Sequence, residues 1–206
     1  MPKMRPRDSL RRRGPHRLPK KRFLIVCEGK VTEPYYFDDL RVLVRSVIDL
    51  KLEPAGAPKK VVERAVELKR EAERLARRSR DLNDRYDEVW CVFDVDEHPL
   101  LAEAKQQALA NGLDVAISNP CFELWVLLHF QDQSAHIERD RVQSLCRHYM
   151  PGYEKKLPCS ILAPLLDEAV GRALRLAAWH ETRGTTGENP STGVHLLVER
   201  IRAEAN

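Results

Sequence analysis

Three short apolar runs, each ending at or shortly before an acid, constrain this chain more than any other feature. Phe23-Leu24-Ile25-Val26-Cys27 runs into Glu28, Val89-Trp90-Cys91-Val92-Phe93 into Asp94 and Asp96, and Val115-Ala116-Ile117-Ser118 leads on to Glu123. Runs this short and this uniformly apolar suit strands buried on both faces of a parallel sheet. Ligands of open α/β sheets gather outside the carboxyl ends of such strands, where these acids fall.

The segments between the runs read as helices. Thr32 followed by Glu33 and Pro34 is predicted to cap a helix carrying Tyr36, Phe37, Leu40, Leu43, Val44 and Val47 on one face. Residues 49–54 alternate like a short second strand nearer an edge, and Pro54, Gly56 and Pro58 then break the chain. From Lys59 to about Asp81 an amphipathic helix turns Val61, Val62, Ala65, Leu68, Ala72, Leu75 and Ala76 inward. A further helix over about 100–110 stops at Asn111-Gly112. Asn119-Pro120 is predicted to open a very apolar helix that continues to Phe130. Strands alternating with helices at this spacing indicate βαβ units and a mainly parallel sheet, an α/β fold. Residues 135–206 read as a mainly helical cover, with helices near 138–149, 160–181 and 191–203.

Charge divides the chain unevenly. Residues 1–22 hold ten basic side chains against Asp8 alone, while the other 184 residues carry 25 basic and 30 acidic ones. Residues 1–21 therefore read as a disordered basic arm, Pro- and Arg-rich without helical periodicity, and residues 22–206 as the folded domain. Arg11, Arg12, Arg13, Lys20 and Lys21 are its candidates for contacting nucleic acid; a solubilising tail explains the same composition. No apolar run approaches the roughly 18 residues that span a bilayer, and no apolar stretch with a cleavage site follows the basic start. Five cysteines without a Cys-x-x-Cys point to reduced thiols and a cytoplasmic location, with neither zinc site nor disulfide framework.

The strand-end acids carry the chemistry. Asp94 and Asp96 stand two apart, so both point to the same side of a strand and can reach one cation. Glu28-Gly29 supplies a third acid at a turn where Gly29 is expected to take a positive φ and keep the backbone close to the site. Carboxylates gathered in this way repel one another unless a cation joins them, and an all-oxygen site suits Mg²⁺ or Mn²⁺ and phosphate chemistry. Acids at a helix start explain Asp96 and Glu97 without a metal. Glu123 serves as a ligand or closes a capping arrangement with Asn119. His98, beside the acidic turn, is placed to contact phosphate or relay a proton. Cys121 and His129 read as interior residues. Asn189-Pro190-Ser191-Thr192-Gly193-Val194 reads as an anion site, with Ser191 and Thr192 as its hydroxyls, or as a cap for the last helix.

These stretches together (FLIVCEGKVTEPYYF at 23–37, VWCVFDVDEHP at 89–99, VAISNPCFELWVLLHF at 115–130 and NPSTGV at 189–194) resemble the RloB-like family of phage-defence proteins. The resemblance implies a Toprim-like fold, in which a glutamate follows the first strand and an Asp-x-Asp a later one. It gives Glu28 the role of general acid/base or ligand, and Asp94 and Asp96 that of Mg²⁺ ligands, with Glu33 and Glu123 in motifs proper to the family. It implies a metal-dependent nuclease acting on DNA or RNA, tRNA included, beside an AAA-type ATPase in abortive infection. A non-catalytic adaptor that binds a phage component or the ATPase stands as the alternative. A phosphoryl or nucleotidyl transferase is weaker, because no Gly-rich phosphate loop occurs.

Overall fold

The computed structural model describes residues 20–95, 100–154, 156–157 and 159–205. The first three apolar runs become β1 (Arg22–Cys27), β3 (Glu88–Asp94) and β4 (Asp114–Asn119), joined by β2 (Asp49–Pro54) and a two-residue β5 (Ser191–Thr192). Their order in the sheet is β2-β1-β3-β4-β5. The first four run parallel and β5 antiparallel to β4.

The apolar runs are continuous because alternate residues enter two different cores. Phe23, Ile25, Cys27, Trp90, Val92 and Ala116 pack under α1 (Thr32–Leu43), α4 (Glu123–Leu127), α5 (Arg139–Tyr149), α7 (Leu166–Glu181) and α8 (Val194–Ala203). Leu24, Val26, Val89, Cys91 and Phe93 pack under α2 (Pro58–Ser79) and α3 (Leu101–Ala110). The result is an α/β protein with a mostly parallel sheet between two helical layers. Among the described residues no helix is long and apolar enough to cross a membrane.

Several boundaries differ from the sequence expectation, each for a local reason. Thr32 is the first helical residue of α1 rather than its cap, which is Val31. That helix stops at Leu43 instead of Val47, because Arg45 turns to a φ of 55° and Ser46 N–H closes back on Arg41 O at 2.9 Å. The helix expected over 160–181 is broken into α6 (Cys159–Leu162), a 3₁₀ turn (Ala163–Leu165) and α7. Pro164 inside that turn has no N–H to continue the ladder. Asn119 does not cap a helix: it pairs with Ser191 in the sheet, and α4 begins only at Glu123. Likewise the helix expected from residue 191 starts at Val194, since Ser191 and Thr192 form β5.

Candidate functional site

The parallel ladder of β1 and β3 breaks where the acids begin. Glu28 N–H still bonds Val92 O at 2.9 Å, but the Glu28 carbonyl turns away to accept from Gly56 N–H at 3.2 Å. In a continued parallel ladder that carbonyl takes the next N–H of β3, that of Asp94. Here the Glu28 side chain replaces it, with Oε2 accepting from Asp94 N–H at 3.1 Å. The strand end thereby brings Glu28 and Asp94 together. On the other side of β3, Val95 N–H bonds Ser118 O at 2.7 Å and holds Asp94 against β4.

Two helices bring in the remaining acids. Glu33, in the first turn of α1, folds back so that Oε1 accepts from Gly29 N–H at 3.1 Å. A Cβ on Gly29 would lie 2.2 Å from Glu33 Oε2. Glycine is therefore needed for room, and Gly29 is absent from the positive-φ glycines, which corrects the reason given from sequence. Glu123 opens α4 and also lines the cleft. An aromatic cluster beneath fixes the two helices to each other. Trp125 Nε1–H donates to Tyr36 Oη at 2.7 Å, and the rings of Tyr36 and Phe122 meet edge to face at 5.5 Å. Tyr36 lies one turn beyond Glu33, and Phe122 directly precedes Glu123.

Glu28, Glu33, Asp94 and Glu123 border a cleft of about 460 Å³ together with Lys30 and Arg139. Asp94 is 7% exposed, and its Oδ2 accepts from Arg139 Nη2 at 2.9 Å. Burial pushes the Asp94 carboxyl well above the usual carboxylate range. Glu33, Glu123 and Glu28 add to that rise, and Arg139 opposes it. Glu33 is raised mainly by burial, against its own and the Gly29 backbone N–H bonds, with Glu123 and Glu28 contributing repulsion. Asp94 thus sits in the field of Glu33, Glu123 and Glu28, and Glu33 in that of Glu123 and Glu28.

The donor set is all carboxylate oxygen, which fits a hard divalent cation such as Mg²⁺ or Mn²⁺. Among the described residues, however, no group of three or more His, Cys, Asp or Glu side chains is placed to hold a metal ion. The acids converge but are turned to protein partners: Glu28 to Asp94 N–H, Glu33 to Gly29 N–H and Asp94 to Arg139. A cation at Asp94 would have to replace or share the guanidinium. Asp96 and His98 lie outside the described residues, as do Arg11, Arg12 and Arg13.

A comparison with protein families matches residues 23–201 to RloB, the RloB-like proteins. The chain belongs to the RloB-like family. The match takes in every cleft residue from Glu28 to Arg139. Neither curated proteins nor solved structures gave a match.

Other residues singled out in the RloB-like sequence stand apart from this cleft. Asn119 Nδ2–H donates to Gly187 O at 3.0 Å. Ser191 and Thr192 lie in β5, where the Thr192 and Ser118 hydroxyls are 3.0 Å apart and Thr192 Oγ1 accepts from Val194 N–H at 3.3 Å. They line a separate, mostly apolar cavity of about 480 Å³ with Val115, Ile117 and His195. Of the basic candidates, Lys20 is exposed, and Lys21 is ion-paired with Glu204 at 2.6 Å. Cys121 is fully buried, and burial followed by the Glu123 and Asp94 charges pushes its thiol far up, as for an interior residue. His129 is buried against Trp125, its Nδ1 3.0 Å from Trp125 O, and burial lowers it to about 4.

Arg139 was not foreseen. A signal for it exists: an arginine as the first residue of α5 opposes the helix dipole, so helix stability does not explain its place.

Proposed function

We propose that this RloB-like chain is a divalent-metal-dependent phosphodiesterase, a nuclease acting on DNA or RNA in defence against phage, with an ATPase as partner. The observation that carries the reading is the convergence of Glu28, Glu33, Asp94 and Glu123 on one cleft at the carboxyl end of a parallel sheet. The spacing of Glu28 and Asp94-x-Asp96 along the chain, as in Toprim proteins, gives it further support. Such clustered acids are a stability burden without a counter-ion, and that burden points to a functional reason for keeping them together.

In this reading Asp94, Asp96 and Glu28 would hold Mg²⁺ or Mn²⁺. A cation bound there supplies a water of lowered pKa and neutralises charge on the phosphate. Glu28 is in reach of the same point and serves as ligand or general acid/base. Glu33, raised by burial, holds a proton more readily than an ordinary glutamate and stands across the turn from Glu28. Arg11, Arg12, Arg13 and Lys20 would add phosphate contacts of the sequence-independent kind.

The test is cleavage of single- and double-stranded DNA and of RNA, tRNA included, by wild type and Asp94→Asn. Each is assayed with Mg²⁺ or EDTA, alone and with the neighbouring ATPase. Mg²⁺-dependent cleavage lost in Asp94→Asn is the expected result. The adaptor reading is favoured by one observation, that Asp94 already has Arg139 as its counter-ion. It takes over if no substrate is cleaved and Asp94→Asn still binds its partner without Mg²⁺.

A further inference from the structure

The segment that delivers Arg139 is held by a side chain far along the sequence. Asn189 Oδ1 accepts from Ile137 N–H at 3.0 Å, and Asn189 Nδ2–H donates to Ile137 O at 2.9 Å. One amide thus occupies both backbone groups of a residue two places before Arg139, as a paired strand does. Asn189 is itself anchored. The next residue, Pro190, offers its carbonyl to His180 Nε2 at 2.7 Å, and the two after it form β5 on the end of β4. That same strand end holds Val95, directly after Asp94, through Ser118 O. Both partners of the Arg139–Asp94 pair are therefore referenced to the end of β4.

Helix stability does not account for this arrangement. The Arg139 side chain is 42% exposed against 10% for the Asp94 side chain, so the guanidinium reaches the cleft opening while the carboxylate is buried. The first turn of a helix is also an unfavourable place for a cation. Phosphate recognition does account for it. A guanidinium presents a planar fork of donors that matches phosphate oxygens, and in a cleft of four acids a phosphate needs a fixed positive partner.

Resting on the phosphodiesterase reading, we propose that Arg139 grips a substrate phosphate in this cleft and that Asn189 is the positioning residue that sets Arg139 there. The Asn189-Pro190-Ser191-Thr192 motif then serves the cleft through its amide rather than as an anion site of its own.

A double-mutant cycle with Arg139→Ala, Asn189→Ala and the pair tests this. One readout is kcat/KM with Mg²⁺. The other is the affinity of a fluorescent oligonucleotide by anisotropy, with Ca²⁺ in place of Mg²⁺, which needs no turnover. Arg139→Ala should lower both by about 100-fold, and Arg139→Lys should recover only part of the loss. Asn189→Ala should cost about tenfold in wild type but less than about twofold in the Arg139→Ala background. Asn189→Asp, which keeps the acceptor for Ile137 N–H, covers the case in which the alanine variant melts early, and should fall between the two. An equal loss from Asn189→Ala in both backgrounds overturns the positioning role. Cleavage and binding indifferent to Arg139 overturn the grip and leave the phosphodiesterase reading standing. Arg139-dependent binding without cleavage by wild type overturns the phosphodiesterase reading and keeps the grip.

Discussion

The two sides of the acidic cleft are held by different means. Glu28 and Glu33 come from one stretch of six residues, and Glu33 leans on Gly29 N–H within its own turn. Asp94 faces Arg139 from 45 residues away, and Arg139 is in turn held through Ile137 by Asn189, 52 residues further on. The first side is a matter of local space, since a missing Cβ lets one carboxylate lie over a peptide. The second is a matter of charge and of distant segments meeting. Mutations should therefore act on the first side through shape and on the second through electrostatics, and they can be chosen to break that distinction.

The largest effect is expected at Asp94. Asp94→Asn keeps the shape and removes the charge, so cleavage should fall by orders of magnitude if a cation acts there. In EDTA the variant should melt no lower than wild type, because a buried carboxyl crowded by Glu33, Glu123 and Glu28 is replaced by a neutral amide. Mg²⁺ should raise the Tm of wild type but not of the variant. An equal rise in both would remove Asp94 from the ligand set.

Gly29→Ala probes the other side with a change of shape alone. The new Cβ would meet Glu33 Oε2 at 2.2 Å, so the glutamate must swing out and lose its bond to Gly29 N–H. The far end of a flexible side chain can yield, and the stability cost should be about 1 kcal/mol, that of one hydrogen bond. Cleavage should fall about as far as in Glu33→Ala, and the double variant no further. If Gly29→Ala were much worse than Glu33→Ala, the glycine would matter for the backbone and not for the space above it.

The pH dependence of stability is a third and smaller effect. Asp94 and Glu33 have raised pKa values in the folded protein, so it keeps protons that the unfolded chain releases near pH 4. Their contribution is present below about pH 4 and is lost as pH rises through the raised folded values. His129 runs the other way. Burial lowers it to about 4, so its contribution is full above about pH 6.5 and is lost as pH falls from there through about 4. Because the two trends overlap, the useful measurement is the difference in Tm between wild type and variant across pH 4 to 8 in EDTA. Asp94→Asn and Glu33→Gln should each gain on wild type as pH rises. A difference that stays flat with pH would show that the carboxyl titrates alike in both states.

This contrast also decides what could be read from the sequence. The parallel order of β1, β3 and β4 followed from three apolar runs, because burial on both sheet faces leaves no room for polar alternation. Glu28, Asp94 and Glu123 were legible because each sits just beyond such a run. Arg139 was not, since no local pattern joins it to Asp94; only the paths of α5 and β5 do. The role of Gly29 was legible as a need for glycine but not for its cause, which depends on where Glu33 folds back. The two Asn-Pro turns read alike as helix starts. Both instead end or precede strands at the β4–β5 edge, where pairing with a neighbour overrode the capping preference.

Those two turns give the smallest predicted effect and the sharpest control. Asn119 and Asn189 each send an amide to a distant backbone, but to different ends. Asn119 donates one bond to Gly187 O in an exposed loop and does not border the acidic cleft. Asn189 holds both backbone groups of the buried Ile137, two residues from Arg139. Asn119→Ala should therefore cost about 0.5 kcal/mol, the low end for one hydrogen bond, because its Gly187 partner is exposed. It should leave cleavage and oligonucleotide affinity at wild-type values. Thermal melting and the same two assays used for Asn189→Ala check both statements. Equal losses from the two asparagines would mean that the whole β4–β5 edge, and not the single amide at Ile137, carries the order of the cleft. A loss confined to Asn189 assigns that order to the path through Ile137 to Arg139.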